Sequence, residues 1–190
     1  MATISSIPYI LTLFLFLSCI CTQLSANSTE TAKQDDLIHE VCSKTLWSSF
    51  CIETLKRYGN ATADLPGIAK VSLDLALSHA SKTKPQIEAL LKQARDPTAR
   101  NVFGNCSDFF NRTTLNLDAA RNYLAAGDYP NAFDHGALLA QEGIYDCYIL
   151  LDDGPAYHKL KDLTTTEFNY CNILCETSGL LLGGKDYFCF

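Results

Sequence analysis

Charged side chains are scarce, 19% of the 190 residues, and the first 26 residues contain none. Average globular chains carry roughly 25%. Basic residues are also in the minority, 15 against 21 acidic, for a net charge of −6. A protein of this sign, with a pI near 5.1, is repelled by phosphate backbones, so nucleic-acid binding is excluded and a basic partner is favoured. Alternation of polar and apolar residues is missing, which removes a half-buried sheet. Missing too are HExxH, a GxSxG elbow, a glycine-rich phosphate loop and paired catalytic carboxylates, so no enzyme chemistry is written in the chain and no metal or cofactor is expected. The four histidines, His39, His79, His135 and His158, lie far apart in sequence. Outside Ile7–Ile20 no run approaches the about 20 apolar residues needed to cross a membrane.

What is present begins with a leader. The apolar run from Ile7 to Ile20 closes on Leu24-Ser25-Ala26, small residues of the kind found at a signal-peptidase site. Residues 1–26 are therefore read as a signal peptide and 27–190 as the mature chain. Four glycosylation sequons accord with secretion: Asn27, Asn60 and Asn111 are candidate acceptors, whereas Asn105 precedes a cysteine expected to be bonded.

The remainder reads as helix after helix. Two short helices are expected at Asp36–Thr45 and Ser48–Arg57, forming a hairpin over 35–58. Four longer ones follow at about Leu65–Arg95, Pro97–Ala126, Asn131–Leu151 and Ala156–Leu182, forming a bundle over 64–182. Asp64, Asp96 and Asp128 stand where N-caps belong, and Gly127 and Gly183 where helices end. Apolar stripes recur at spacings of three and four: Val102, Cys106, Phe109, Thr113, Leu117, Ala120 and Leu124 on one helix, Phe133, Ala137, Ala140, Ile144, Cys147 and Leu151 on the next. Pro85 is expected to kink the first long helix or delay its second half, and Glu167 interrupts the last stripe. Short turns between such helices imply an all-α, antiparallel up-down-up-down four-helix bundle behind a helical hairpin, with two disulfides.

Seven cysteines follow the leader. Cys106 and Cys147 are nearly equidistant from the bend at Gly127, about 30 Å up adjacent helices at 1.5 Å per residue, and both lie in apolar stripes. They should bond, as should Cys42 and Cys51, symmetric about Leu46-Trp47. Zinc is disfavoured because no CxxC spacing or histidine interval accompanies them. Cys171 and Cys175, at i and i+4, cannot easily pair within one helix. Cys171 reads as a buried small hydrophobe, Cys175 and Cys189 could join if the tail folds back at Gly183-Gly184, and the odd total leaves at least one thiol without an intramolecular partner.

The hairpin Cys42–Cys51, the block Asp64-Leu65-Pro66-Gly67 with Val71 to Ala76, the Asp96-Pro97 turn, Asn105-Cys106-Ser107, and Ala126 to Tyr129 ahead of Asp146-Cys147 resemble the plant invertase and pectin methylesterase inhibitors. The match runs from about Leu37 to Leu182. The resemblance implies a hairpin and four-helix bundle, disulfides first-to-second and third-to-fourth, and an unpaired fifth cysteine at Cys171. It also implies secretion to the cell wall or vacuole and inhibition of a carbohydrate-active enzyme in a 1:1 complex. Inhibition of pectin methylesterase by occlusion of its cleft is the leading reading. Acid invertase is the alternative target, and a carrier of a small apolar ligand is a third.

Departures from the family pattern shape the choice. Tyr129-Pro130-Asn131-Ala132-Phe133 stands where invertase inhibitors place a compact Pro-Lys-Phe. Asp146 replaces a small polar residue before the fourth cysteine, and the tail 183–190 lacks the usual helical ending. Asp128, Asp134 and Asp146, on the two limbs of the Gly127 bend, are candidate partner contacts.

Overall fold

The computed structural model describes residues 31–151, 157–184, 187 and 189. Helix α1 covers 31–44 and α2 spans Ser48–Lys56, followed by a 3-10 turn at Gly59–Thr62. The bundle comprises α3 (Leu65–Gln93), α4 (Pro97–Ala125), a third helix in three parts, and α7 (His158–Leu181). The third helix starts as α5 (Tyr129–Ala132), widens into a π-helical segment (Phe133–Leu139) and continues as α6 (Ala140–Leu150). No strand occurs among the described residues. The leader, Asn27 and the turn Asp152 to Pro155 lie outside them.

Capping explains where the first three bundle helices begin. Asp64 accepts from the Gly67 N–H at 2.7 Å, Asp96 from Ala99 at 2.8 Å and Asp128 from Asn131 at 3.3 Å. Each bond satisfies a donor the helix cannot, worth about 1 kcal/mol. Helix ends are as specific. Gly127 and Gly183 take φ of 73° and 95°, and each is closed by the paired reverse bonds of a Schellman turn.

Contacts establish the topology. α3, α4, the third helix and α7 form a closed ring in that order. Thr113 Oγ1 donates to the Ala140 carbonyl and Cys106 meets Cys147, so α4 and the third helix are antiparallel. α7 runs antiparallel to both its neighbours: His79 meets Glu167 while Ile68 and Val71 pack on Ile173, and Cys147 lies by Thr164 while Ala137 packs on Cys175. The hairpin lies across the α3–α7 side, where Ile38, Val41, Leu55, Ile68 and Ile173 share one buried cluster. Every residue of α7 from Cys171 to Gly179 is buried.

Two expectations need correction and one is extended. Pro85 does not delay the second half of its helix. It sits exposed within the continuous α3, on the side where a lost backbone bond can be met by water. In α4 the stripe passes through Phe110, which is fully buried, rather than Phe109, which is only half-covered and carries the Arg112 guanidinium 4.9 Å above its ring. At 3.6 residues per turn both spacings are open, and packing chooses. Finally, the described residues hold both expected disulfides, Cys42–Cys51 and Cys106–Cys147, and a third that the sequence left open, Cys175–Cys189, with Cα separations of 5.5, 4.8 and 5.9 Å. Cys171 stays a buried free thiol.

The third disulfide reorganises the tail. It brings Tyr187 edge-on to Phe133, centroids 5.9 Å apart, and lays its ring against Gly179, where a Cβ would collide with it. Tyr187 and Cys189 thus pack against a small cluster of Phe133, Ala137 and Cys175.

The pairs close loops of different length, with sequence separations of 41 and 9 for Cys106–Cys147 and Cys42–Cys51. Chain entropy assigns these about 4 and about 3 kcal/mol. Cys106→Ser is therefore expected to lower the unfolding free energy more than Cys42→Ser, read by urea denaturation. Alkylation of Cys106 or Cys147 in the untreated native protein would contradict the pairing.

Candidate functional site

Among the described residues no group of three or more His, Cys, Asp or Glu side chains is placed to hold a metal ion. Among the described residues, an ion pair joins two bundle helices: His79 on α3 and Glu167 on α7, whose Nδ1 and Oε2 are 2.7 Å apart. Glu167 is entirely buried, and its Oε1 has no hydrogen-bond partner. Loss of water pushes the carboxyl up from 4.5 to about 7, against the opposing pull of His79. One turn on, the Cys171 thiol is raised well above its usual range by the same burial and by Glu167. Such a thiol is a poor nucleophile. The pair ties two helices together and is not open to a substrate.

The three candidate carboxylates do not converge. Asp128 is committed to its own helix: one oxygen accepts from the Asn131 N–H and the other from Asn131 Nδ2 at 2.7 Å. Asp134 is exposed on the π segment and Asp146 is half-buried on α6. Twelve residues of helix separate those two, about 18 Å. Pro130 is exposed, but Phe133 is 7% exposed and covered by Tyr187, so the turn presents little apolar surface. Of the glycosylation candidates described, Asn60 and Asn111 are exposed, and Asn105 is half-buried beside the bonded Cys106.

A second surface was not singled out by the sequence reading. Leu46 and Trp47 at the hairpin tip, Tyr145 and Tyr148 on α6, and Thr165 and Phe168 on α7 line an open groove of about 310 Å³. Trp47 meets Phe168 edge-on at 5.8 Å, and Tyr145 lies 6.3 Å from the same ring. A signal for it existed: Tyr145 and Tyr148 are large apolar residues flanking the buried positions Ile144 and Cys147, so they had to face outward or toward another element.

The comparisons extend the resemblance. A family model described as "Plant invertase/pectin methylesterase inhibitor" matches residues 36–142. The chain is 31% identical to a pectinesterase inhibitor of Actinidia deliciosa, over 80% of this chain and 83% of that one. It is 28% identical to pectinesterase inhibitor 1 of Arabidopsis thaliana, over 60% and 63%. Among solved structures, a mutant form of a pectin methylesterase inhibitor from Arabidopsis superposes with a TM-score of 0.66 at 24% identity, covering 74% of this chain and 93% of that one. This last likeness speaks for the fold.

The buried carboxyl sets a pH dependence. Because its folded pKa lies above the unfolded 4.5, the folded state holds a proton the unfolded state releases between about pH 4.5 and 7. Glu167's contribution is thus greatest below pH 4.5 and is lost as pH rises to about 7, by up to about 3 kcal/mol. Urea denaturation across this range should show the decline in the parent protein and not in Glu167→Gln. Parallel profiles would remove Glu167 as its source.

Proposed function

As the chain belongs to the plant invertase/pectin methylesterase inhibitor family, we propose that it is a secreted inhibitor of pectin methylesterase that works by stoichiometric binding and has no catalysis of its own. The observation that carries this is the match to a pectinesterase inhibitor over four-fifths of the chain. The mechanism is occlusion. A bundle braced by Cys106–Cys147 and closed by two further disulfides holds one helix surface rigid over a cleft that must admit a polymer. Rigidity matters because little conformational freedom is then lost on docking. Excluding the polymer needs no reactive group. Residues 1–26 act as the signal peptide, the complex is 1:1, the destination is the cell wall, and Asn60 and Asn111 carry glycans.

Acid invertase is the less favoured target because of the turn. Asn131 and Ala132 separate Pro130 from Phe133, and Phe133 is packed under Tyr187 rather than displayed. Titration of the purified protein against a plant pectin methylesterase and an acid invertase is expected to abolish esterase activity near equivalence and leave invertase untouched; potent inhibition of invertase alone would overturn the assignment. Within the esterase complex, Asp146→Lys should slow association and flatten its salt dependence, since rim charges act chiefly on the on-rate. Phe133→Ala should destabilise the fold by about 3 to 5 kcal/mol, whereas Pro130→Ala should leave esterase inhibition unchanged.

A further inference from the structure

The net charge of the chain is concentrated in one stretch. Residues 122–158 contain six carboxylates, Asp128, Asp134, Glu142, Asp146, Asp152 and Asp153, and neither lysine nor arginine. The rest of the chain balances, with 15 acidic and 15 basic side chains. The acidic stretch supplies the third bundle helix. On the outward side of α6, Glu142, Tyr145, Asp146 and Ile149 follow one another at helical spacing, so carboxylates alternate with apolar groups. Tyr145 is 43% exposed and Ile149 59%.

This face adjoins the groove under Trp47. Leu46 and Trp47 stand at its rim, 61% and 42% exposed, held there because the hairpin is cross-linked by Cys42–Cys51 and the Leu46 N–H donates to Asn172 Oδ1 of α7 at 3.1 Å. The recess, about 310 Å³, is at the small end of ligand pockets, which run roughly 300–1,000 Å³ and enclose most of their ligand. Being open and aromatic, it suits an apolar side chain projecting from a protein better than a small molecule. Trp and Tyr in such settings dominate interface energetics. Lys161, its ammonium 5.3 Å from the Tyr148 centroid, limits the acidic area on the α7 side.

We propose that the Trp47 groove and the acidic outward face of α6 together anchor the docking surface, and that the occupant is a basic patch of pectin methylesterase. An apolar side chain of the enzyme enters between Trp47, Tyr145 and Tyr148, while lysines or arginines beside it meet Glu142 and Asp146. This rests on the esterase reading, and deepens it by moving the anchor away from the Gly127 turn, whose Asp128 is spent on capping and whose Phe133 is covered.

The test uses the full mature chain and a basic plant pectin methylesterase. Leu46→Asp and Ile149→Asp alter exposed positions and should leave the melting temperature unchanged while weakening inhibition about 30-fold or more, chiefly through faster dissociation. Trp47→Ala should do the same and Trp47→Phe should restore most of the affinity. Leu115→Asp, 70% exposed on α4, should have no effect. Trp47 is also the single tryptophan of the chain, so 5-fluorotryptophan labelling gives one fluorine resonance that should shift when unlabelled enzyme is added. Variants at 46 and 149 that inhibit at full strength, or a resonance that stays put in a saturated complex, would overturn the anchor and leave the esterase reading standing. A parent protein that binds no esterase would overturn both.

Discussion

The structure depends on the burial of one helix from all sides. From Cys171 to Gly179, α7 has no exposed face, so four bundle helices alone cannot account for it; the hairpin covers one flank and the tail another. A helix enclosed in this way must satisfy its polar side chains inside the protein, because an unpaired polar group in a low-dielectric interior costs roughly 1–3 kcal/mol. α7 meets most of that demand in two ways, leaving Glu167 Oε1, Asn169 Oδ1 and Ser178 Oγ without a hydrogen-bond partner. Thr164 and Thr177 donate to carbonyls one turn back, Leu160 and Ile173. Glu167, Asn172 and Glu176 instead reach His79, the Leu46 N–H and Tyr187. Each of these last three bonds fastens a different element to α7: the first bundle helix, the hairpin tip and the tail.

This arrangement explains what could be read from the sequence and what could not. The two flanking disulfides, the aspartate caps and the buried stripe from Phe133 to Leu151 are local or symmetric features, fixed by helical repeat and turn position, and they were legible. The choice of Phe110 over Phe109 was not, because adjacent residues differ by only about 100° around the helix and the neighbouring helix decides between them. Nor was the π segment, which inserts a wider turn beneath an apolar stripe that keeps its ordinary spacing. Glu167 looked like an interruption of the stripe because its partner, His79, comes from α3 and lies 88 residues away in sequence. The Cys175–Cys189 bond depended on how the residues between them fold, which no spacing encodes.

Of the candidate site, the acidic residues were visible but not their employment. Asp128 is used up locally by Asn131, whereas Asp134 and Asp146 face outward far apart. The aromatic groove required three elements distant in sequence, the hairpin tip, α6 and α7, to meet. Its residues were individually unremarkable: a tryptophan in a turn and two tyrosines off a stripe.

The position of α7 in the chain has a consequence for biogenesis. It is made after the hairpin, α3, α4 and the third helix, all of which need its surface to bury their own. At about 5–20 residues per second, α7 is synthesised on the order of ten seconds after Cys51. Cys42 and Cys51 thus precede α7 by more than a hundred residues, whereas Cys147 precedes it by only eleven, so of the three cross-links Cys42–Cys51 is the one that can close well before α7 is present. The surface on which the earlier helices close comes last, and the thiol that stays unpaired, Cys171, lies on that last-made helix, buried in the finished core.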